Sequence, residues 1–234
     1  MALKLTEYTV FADAEKELRF LFFADLHNHP NEPLLKVIKD TKADAVLVGG
    51  DFIHNNFIYE RGFEFLTQSA DKLPTFCCLG NHEWGYLGGL RSDIIKTGVT
   101  LLDNEFVSFK GINIGGLTSA YFRMAEGMVP NTNFLVDFSQ QKGYKLLLCH
   151  HPEYYPKYIK DLPIDLILSG HAHGGQWRLF GRGAYAPGQG FFPKYTGGMY
   201  NNRLIVSRGI GNVYLVPKIN NPPEVLLINI KPNH

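Results

Sequence analysis

Apolar residues along this chain gather into short runs rich in β-formers, and few segments show the longer stripe of a helix. Arg19 to Ala24, Ala45 to Val48, Thr75 to Leu79, Lys145 to Cys149 and Asp165 to Leu168 each read as a buried strand, and each runs out into Gly, Asp or His within two residues. Glu32 to Thr41 and Glu60 to Lys72, lying between the first three runs, carry helical spacing, so strand and helix alternate as in βαβ units. After Gly98 the texture changes. Thr100 to Leu102, Glu105 to Phe109 and Ile112 to Leu117 are short strands set apart by Asp-Asn and Lys-Gly turn signals, which predicts a hairpin-rich second layer. The tail resembles that layer, with strands over Arg203 to Ser207, Val213 to Val216 and Glu224 to Ile230, and Pro217, Pro222 and Pro223 at turns or edges. Residues 174–202 are crowded with Gly and aromatics, too Gly-rich for a helix and too broken for a strand, and predict an ordered surface excursion.

Composition narrows the class without naming a function. The 234 residues carry 45% hydrophobic and 19% charged side chains, which suits one globular α/β domain over 1–234 and excludes disordered, collagen-like and coiled-coil chains. No repeat of fixed period is present, which removes solenoids. With 23 Lys and Arg against 22 Asp and Glu, the net charge of +1 gives no global counterion-release drive, so nucleic acid binding is not expected. Cys77, Cys78 and Cys149 lie in apolar runs and read as buried free thiols in a reducing compartment. Near the start the longest apolar stretch is Phe20 to Ala24, against the ~18 residues a membrane span needs. The acidic N-terminal segment shows no export signal. A cytoplasmic, soluble protein with no membrane anchor is the expectation.

The chemistry collects at the strand ends. His27, His82, His150, His171 and His173 follow the C-terminal ends of expected strands, and Asp25, Asp51 and Asn81 share those positions. In open α/β sheets that edge is where ligands bind. Several imidazoles converging with carboxylates and an amide oxygen suit Zn, Mn or Fe, whereas Ca and Mg favour all-oxygen sets. Asp25 and His27, like His171 and His173, are two apart, so an extended chain would point each pair to one side. Gly49-Gly50-Asp51 taken alone reads as a tight turn with a helix-capping Asp. Gly80-Asn81-His82-Glu83 is sharper, because Gly frees the backbone and one turn then offers a neutral oxygen and a titrating ring.

The joint order D-x-H, GGD, GNHE, H and GHxH resembles the calcineurin-like metallophosphoesterase superfamily, over nearly the whole chain from Asp25 to the C-terminal strands. Within it, the His171 to Gln176 block, Lys194-Tyr195, Gly198 and the Val206 to Gly211 block are similar to a branch of often membrane-anchored bacterial phosphodiesterases. This chain departs from that branch in continuing GGD into Phe52-Ile53-His54, and the anchor is expected to be absent. The resemblance implies a four-layer αββα sandwich of two mixed β-sheets flanked by helices. It also implies two divalent metal ions, Mn, Fe or Zn, one held by Asp25, His27 and His173 and the other by Asn81, His150 and His171, with Asp51 bridging. A metal-bridging hydroxide would be the nucleophile and His82 the general acid, with Glu83 orienting it.

Residues around this set read more plainly. His151, His54 and His29 are packing or surface groups beside the ligands, with His151, His54 and Gln176 as candidates to touch substrate; His234 is terminal. Arg123, Arg178, Arg182, Lys194 and Arg208 are available to a phosphate but read as solvated cations. Trp84, Tyr86, Tyr121 and the aromatic excursion read as core or lid packing, and together favour an organic leaving group. The expected function is therefore hydrolysis of a small-molecule phosphodiester or pyrophosphate. The alternative is a phosphomonoesterase or protein phosphatase, although the arginines that phosphatases place beside these blocks are here Phe52 and Trp84. A non-catalytic scaffold on the same fold is a further alternative, opposed by the filling of every ligand position.

Overall fold

The computed structural model describes residues 2–14, 16–55, 57–120, 129–187, 189–212 and 217–233. The expected strand Val213 to Val216, and Tyr121, Arg123 and His234, lie outside the described residues. In chain order the strands are β1 (Lys4–Ala12), β2 (Leu18–Phe23), β3 (Ala45–Val48), β4 (Thr75–Cys77), β5 (Thr100–Leu101), β6 (Glu105–Phe109), β7 (Ile112–Leu117), β8 (Lys145–Cys149) and β9 (Leu166–Ser169). There follow β10 (Arg178–Leu179), β11 (Arg182–Gly183), β12 (Tyr185–Ala186), β13 (Gly190–Phe191), β14 (Gly198–Tyr200), β15 (Leu204–Val206) and β16 (Glu224–Pro232). The α-helices are α1 (Glu32–Asp40), α2 (Glu60–Ala70), α3 (Leu90–Lys96) and α4 (Thr132–Ser139).

Two six-stranded mixed sheets carry the fold, in the orders β1-β16-β2-β3-β4-β5 and β14-β15-β9-β8-β7-β6. Strands β2 to β5 are mutually parallel, as are β7, β8, β9 and β15. Because strand side chains alternate faces, each central strand feeds two cores. Phe20 and Phe22 of β2 meet Leu146 and Leu148 of β8 between the sheets. Leu21 and Phe23 turn outward onto Leu34 and Ile38 of α1 and Phe65 and Leu66 of α2. On the far side, Leu147 and Cys149 pack against Phe134, Leu135 and Phe138 of α4 and a π-helical turn, Tyr155–Ile159. Helix, sheet, sheet and helix thus make the four layers expected.

Helix α1 starts where its sequence permits, with Pro33 in the first turn and Leu34 and Ile38 one turn apart on the buried face. Three expectations need correction. The second layer is antiparallel only at its two edges, where β6 pairs with β7 and β14 with β15; its centre is parallel. The tail does not stay in that layer, because β16 crosses back and pairs with both β1 and β2. Its seven leading residues, Glu224 to Ile230, are all buried, so it needs the covered interior of the first sheet. Residues 174–202 do form short strands, two small hairpins and the edge strand β14, because the glycines serve as turns between pairs of residues. No helix among the described residues is long and apolar enough to cross a membrane.

Candidate metal centre

Parallel strands end at one edge, so the loops after β2, β3 and β4 of one sheet meet those after β8 and β9 of the other. Asp25 and His27 follow β2, Asp51 follows β3, Asn81 and His82 follow β4, His150 follows β8, and His171 and His173 follow β9. Backbone hydrogen bonds stitch these loops across strands: Asp25 N–H donates to Gly50 O, His27 N–H to Asp51 O, and Gly170 N–H to His150 O, each at 3.1 Å. The two pairs spaced two apart do not sit on extended backbone. Asp25, His27, Asp51, His171 and His173 all have φ between +42° and +62°, a left-handed conformation that costs ~1–2 kcal/mol per non-glycine residue. The side chains converge because the chain coils back at each strand end. Glycine makes room for the carboxylates: a Cβ on Gly80 would lie 2.2 Å from Asp51 Oδ1, and one on Gly209, at φ +69°, 2.6 Å from Asp25 Oδ2.

Among the described residues, Asp25, His27 and His173 form one buried group able to hold an ion, and Asp51, His150 and His171 another, with donor atoms within 4.8 Å of one another in each. In the first, the Nε2 atoms of His27 and His173 are 3.2 Å apart, and His173 Nε2 is 3.7 Å from Asp25 Oδ1. In the second, His150 Nε2 is 3.1 Å from Asp51 Oδ2, near enough for an ion pair but not aligned as a hydrogen bond. His150 Nδ1 is 2.7 Å from Gly49 O, and since a carbonyl only accepts, Nδ1 donates there and Nε2 is the nitrogen turned to the centre. Asn81 is half-buried, yet its Oδ1 is buried without a hydrogen-bond partner. A buried amide oxygen left without a partner is costly in a metal-free fold and is what a cation satisfies, so the donor set fits divalent metal.

Electrostatics divide the imidazoles. Burial drives His27 and His171 well below the usual histidine range and His173 down to about 4. Burial acts on His150 too, but the Asp51 carboxylate outweighs it and holds that ring up to about 10. Asp51, despite its burial, is kept well below the carboxylate range by His150 and His82.

The surrounding residues take places the sequence did not foretell. His82 N–H donates to Asp51 Oδ1 at 2.9 Å, its ring Nδ1 donates to the His54 carbonyl, and its Nε2 stands 4.0 Å from Asp51 Oδ2. His54 thus supports His82 through its backbone, while its own ring lies 5.6 Å from the His82 ring. Glu83 does not orient His82. Fully buried, it accepts from the N–H groups of Gly80, Asp51 and Ile53 at 2.6, 2.9 and 3.3 Å, clamping the loops after β3 and β4 together. Burial, and then the Asp51 charge, push its carboxyl up to about 7. His151 is buried behind His171, donating from Nδ1 to Glu153 Oε1 at 2.9 Å and bonded at Nε2 to Ser119 Oγ at 2.7 Å. Gln176, at φ +57°, donates to Asn212 Oδ1 at 3.2 Å. Arg208 is taken up by Glu224 at 2.5 Å, and Arg178 by carbonyls of its own loop, so neither is a free phosphate ligand.

Three residues were missed. Glu153 lies 3.7 Å from His171 Nε2; Asn221 donates to His173 O at 2.7 Å; and Lys218, pushed by burial down to about 8, donates to Arg208 O at 3.0 Å. Glu153 follows His150 by three residues and its place on that loop was the available signal, whereas nothing local marks Asn221 and Lys218, which reach the centre through chain returning from elsewhere.

Comparison with known proteins agrees with this geometry. The chain belongs to the calcineurin-like phosphoesterase family, whose pattern matches residues 18–175. It is 25% identical to an uncharacterized metallophosphoesterase of Helicobacter pylori strain J99, over 99% of this chain and 65% of that protein. It is 27% identical to phosphodiesterase YaeI of Escherichia coli K12, over 94% of this chain and 84% of that protein. The chain thus spans about two thirds of the Helicobacter pylori J99 relative, and 49% of a second relative from strain 26695. In fold, it superposes on the Thermus thermophilus sulfate thiohydrolase SoxB with a TM-score of 0.54 and 14% identity, over 83% of this chain and 51% of that one.

Proposed function

We propose that the chain, as one domain over 1–234, is a dinuclear metal-dependent phosphohydrolase acting on a small-molecule phosphodiester or pyrophosphate. The observation that carries this reading is the place of Asp51. Its Oδ2 stands 3.7 Å from His27 Nε2 and 3.1 Å from His150 Nε2, so one buried carboxylate reaches a ring of each donor group. Asp25, His27 and His173 would hold one ion, Asn81, His150 and His171 the other, with Asp51 shared. Two divalent ions, Mn, Fe or Zn, when bound supply positive charge at the phosphoryl oxygens and lower the pKa of the attacking water to about 7.

The chain's own residues do the rest. His54 O accepts from His82 Nδ1, which fixes the ring and leaves Nε2, the nitrogen on the Asp51 side, to carry the transferable proton. From there His82 donates to the leaving-group oxygen. Glu83 keeps the Asp51 and Gly80 backbones in register, so the shared carboxylate and Asn81 stay aimed. The similarity to the Escherichia coli protein named a phosphodiesterase favours diester over monoester. The test is hydrolysis of bis-p-nitrophenyl phosphate against p-nitrophenyl phosphate by metal-free protein reloaded with Mn, Zn, Fe or Ni. A diester preference that the Asp51→Asn variant loses is expected; a monoester preference, or turnover without metal, would overturn the reading.

A further inference from the structure

Beside the two donor groups lies a further cluster able to take a metal ion, built of imidazoles alone. His27, His54 and His82 bring one ring nitrogen each within 4.8 Å of one another, with no carboxylate among them. The ring centroids stand 4.5 Å apart for His27 and His82, 5.6 Å for His54 and His82, and 5.8 Å for His27 and His54. The three residues come from the loops after β2, β3 and β4, which lie side by side in the first sheet.

Each ring has a nitrogen to give. His82 spends Nδ1 on His54 O, which leaves Nε2 as its donor atom. His54 is steadied by its backbone, whose N–H donates to Ile58 O at 3.0 Å and whose carbonyl accepts from His82, so the residue that fixes His82 also brings its own ring beside it. His27 belongs to the first donor group through Nε2, 3.2 Å from His173 Nε2, but its Nδ1 is buried without a hydrogen-bond partner. Ligand imidazoles ordinarily donate that second nitrogen to a carbonyl or carboxylate, so His27 keeps an atom that its role in the first group does not use. His54 and His82 are half-buried, the His82 side chain 26% exposed, and water can complete the shell of an ion held there.

An all-imidazole set suits zinc and disfavours manganese, which seeks oxygen donors. Without a carboxylate it lacks the Coulomb attraction that Asp25 and Asp51 lend the other two groups, and a ring that gives both nitrogens must surrender its last proton. Both make this the weakest of the three sites, filled only when zinc is in excess. We propose that His27, His54 and His82 form a third, inhibitory zinc site, which stops turnover by occupying His82 Nε2. The binding stands on the cluster alone. Its effect rests on the hydrolytic reading, because a nitrogen bound to zinc has no proton for the leaving-group oxygen.

Equilibrium dialysis of metal-free protein against excess zinc, read by elemental analysis, tests the site. Wild type is expected to hold about three zinc ions per chain, and the His54→Phe and His82→Ala variants about two, whereas in manganese each protein holds about two. Zinc added to manganese-loaded wild type should slow hydrolysis of a diester with an alkyl leaving group at least about tenfold, and that of His54→Phe less than about twofold, each against its own rate in manganese alone. The site is overturned if wild type stops at about two zinc ions, if manganese fills it equally, or if both variants, folded by circular dichroism, still take up the third. A third zinc ion that leaves turnover unchanged overturns the inhibitory role. Uptake of the third ion by a chain that hydrolyses no phosphate ester supports the site and counts against the hydrolytic reading instead.

Discussion

The two donor groups are built from the same residue types, a carboxylate and two imidazoles, yet they stand in different charge states. In the first, burial strips His27 and His173 of proton affinity, so both rings offer lone pairs at neutral pH. In the second, His171 is likewise neutral, but His150 is held up to about 10 by Asp51. The cause is the aim of each carboxylate. Asp51 Oδ2 faces His150 Nε2 at 3.1 Å, whereas both oxygens of Asp25 accept the His171 backbone N–H, at 2.9 and 3.1 Å, and lie farther from the rings. Equivalent donors are therefore not equivalent sites. One group is ready for a cation, and the other must first release a proton.

Four measurements break or sharpen that contrast. The largest effect is expected from Asp51→Asn, which removes the charge joining the groups: kcat should fall about a thousandfold, and bound metal should drop from two ions per chain to one by elemental analysis. Retention of both ions would show that Asp51 does not join them. His82→Ala should lower kcat by about a hundredfold or more with alkyl leaving groups and much less with p-nitrophenolate. Equal losses on both would remove its acid role.

Proton release separates the groups directly. In metal-free protein His150 is protonated up to about pH 10, so loading of the second group should eject one proton and its affinity should rise about tenfold per pH unit below that value. Calorimetry in buffers of different ionisation enthalpy reads this, and metal uptake without proton release would abolish the contrast. The smallest effect is expected from Glu83→Gln. Three backbone N–H groups rely on that carboxylate, and the substitution should cost about 1–3 kcal/mol in denaturant unfolding. Its carboxyl is raised in the folded chain to about 7 from an ordinary 4.5, so the folded state holds a proton the unfolded chain has released. The stability this contributes is complete below pH 4.5 and lost as pH rises through 7; the glutamine variant should lack that slope.

Much of the fold was legible. The strands Ala45–Val48 and Lys145–Cys149 fall where their apolar runs predict, and the helix expected from Glu32 ends one residue early, at Asp40. These segments are buried on both faces or amphipathic at a clean period, so local pattern suffices. Strand β1 went unread because only Val10 and Ala12 of its nine residues are buried, which leaves an edge strand with little apolar signal. Short helices α3 and α4 also went unread. In the candidate site, the residue types and their order were visible, but the backbone that aims them was not. An extended D-x-H was the expectation, and coiled left-handed turns are the finding. Glu83 was visible as a neighbour of His82, while its use as a clamp on Asp51 depends on β3 and β4 lying side by side.

By itself the sequence determined the strand runs, the donors that close them and the family to which the chain belongs. Each of these follows from chemistry within a few residues: side-chain period, β-propensity and the ligand atoms a residue type can offer. Only the tertiary structure decided that β16 enters the first sheet, that Asp51 reaches a ring of each group, and that His150 keeps a proton while His27 does not. Those outcomes depend on how two sheets pack and how deeply a charge is buried, and the pairwise distances that set them join residues on different loops, from 24 positions apart for His27 and Asp51 to 99 for Asp51 and His150.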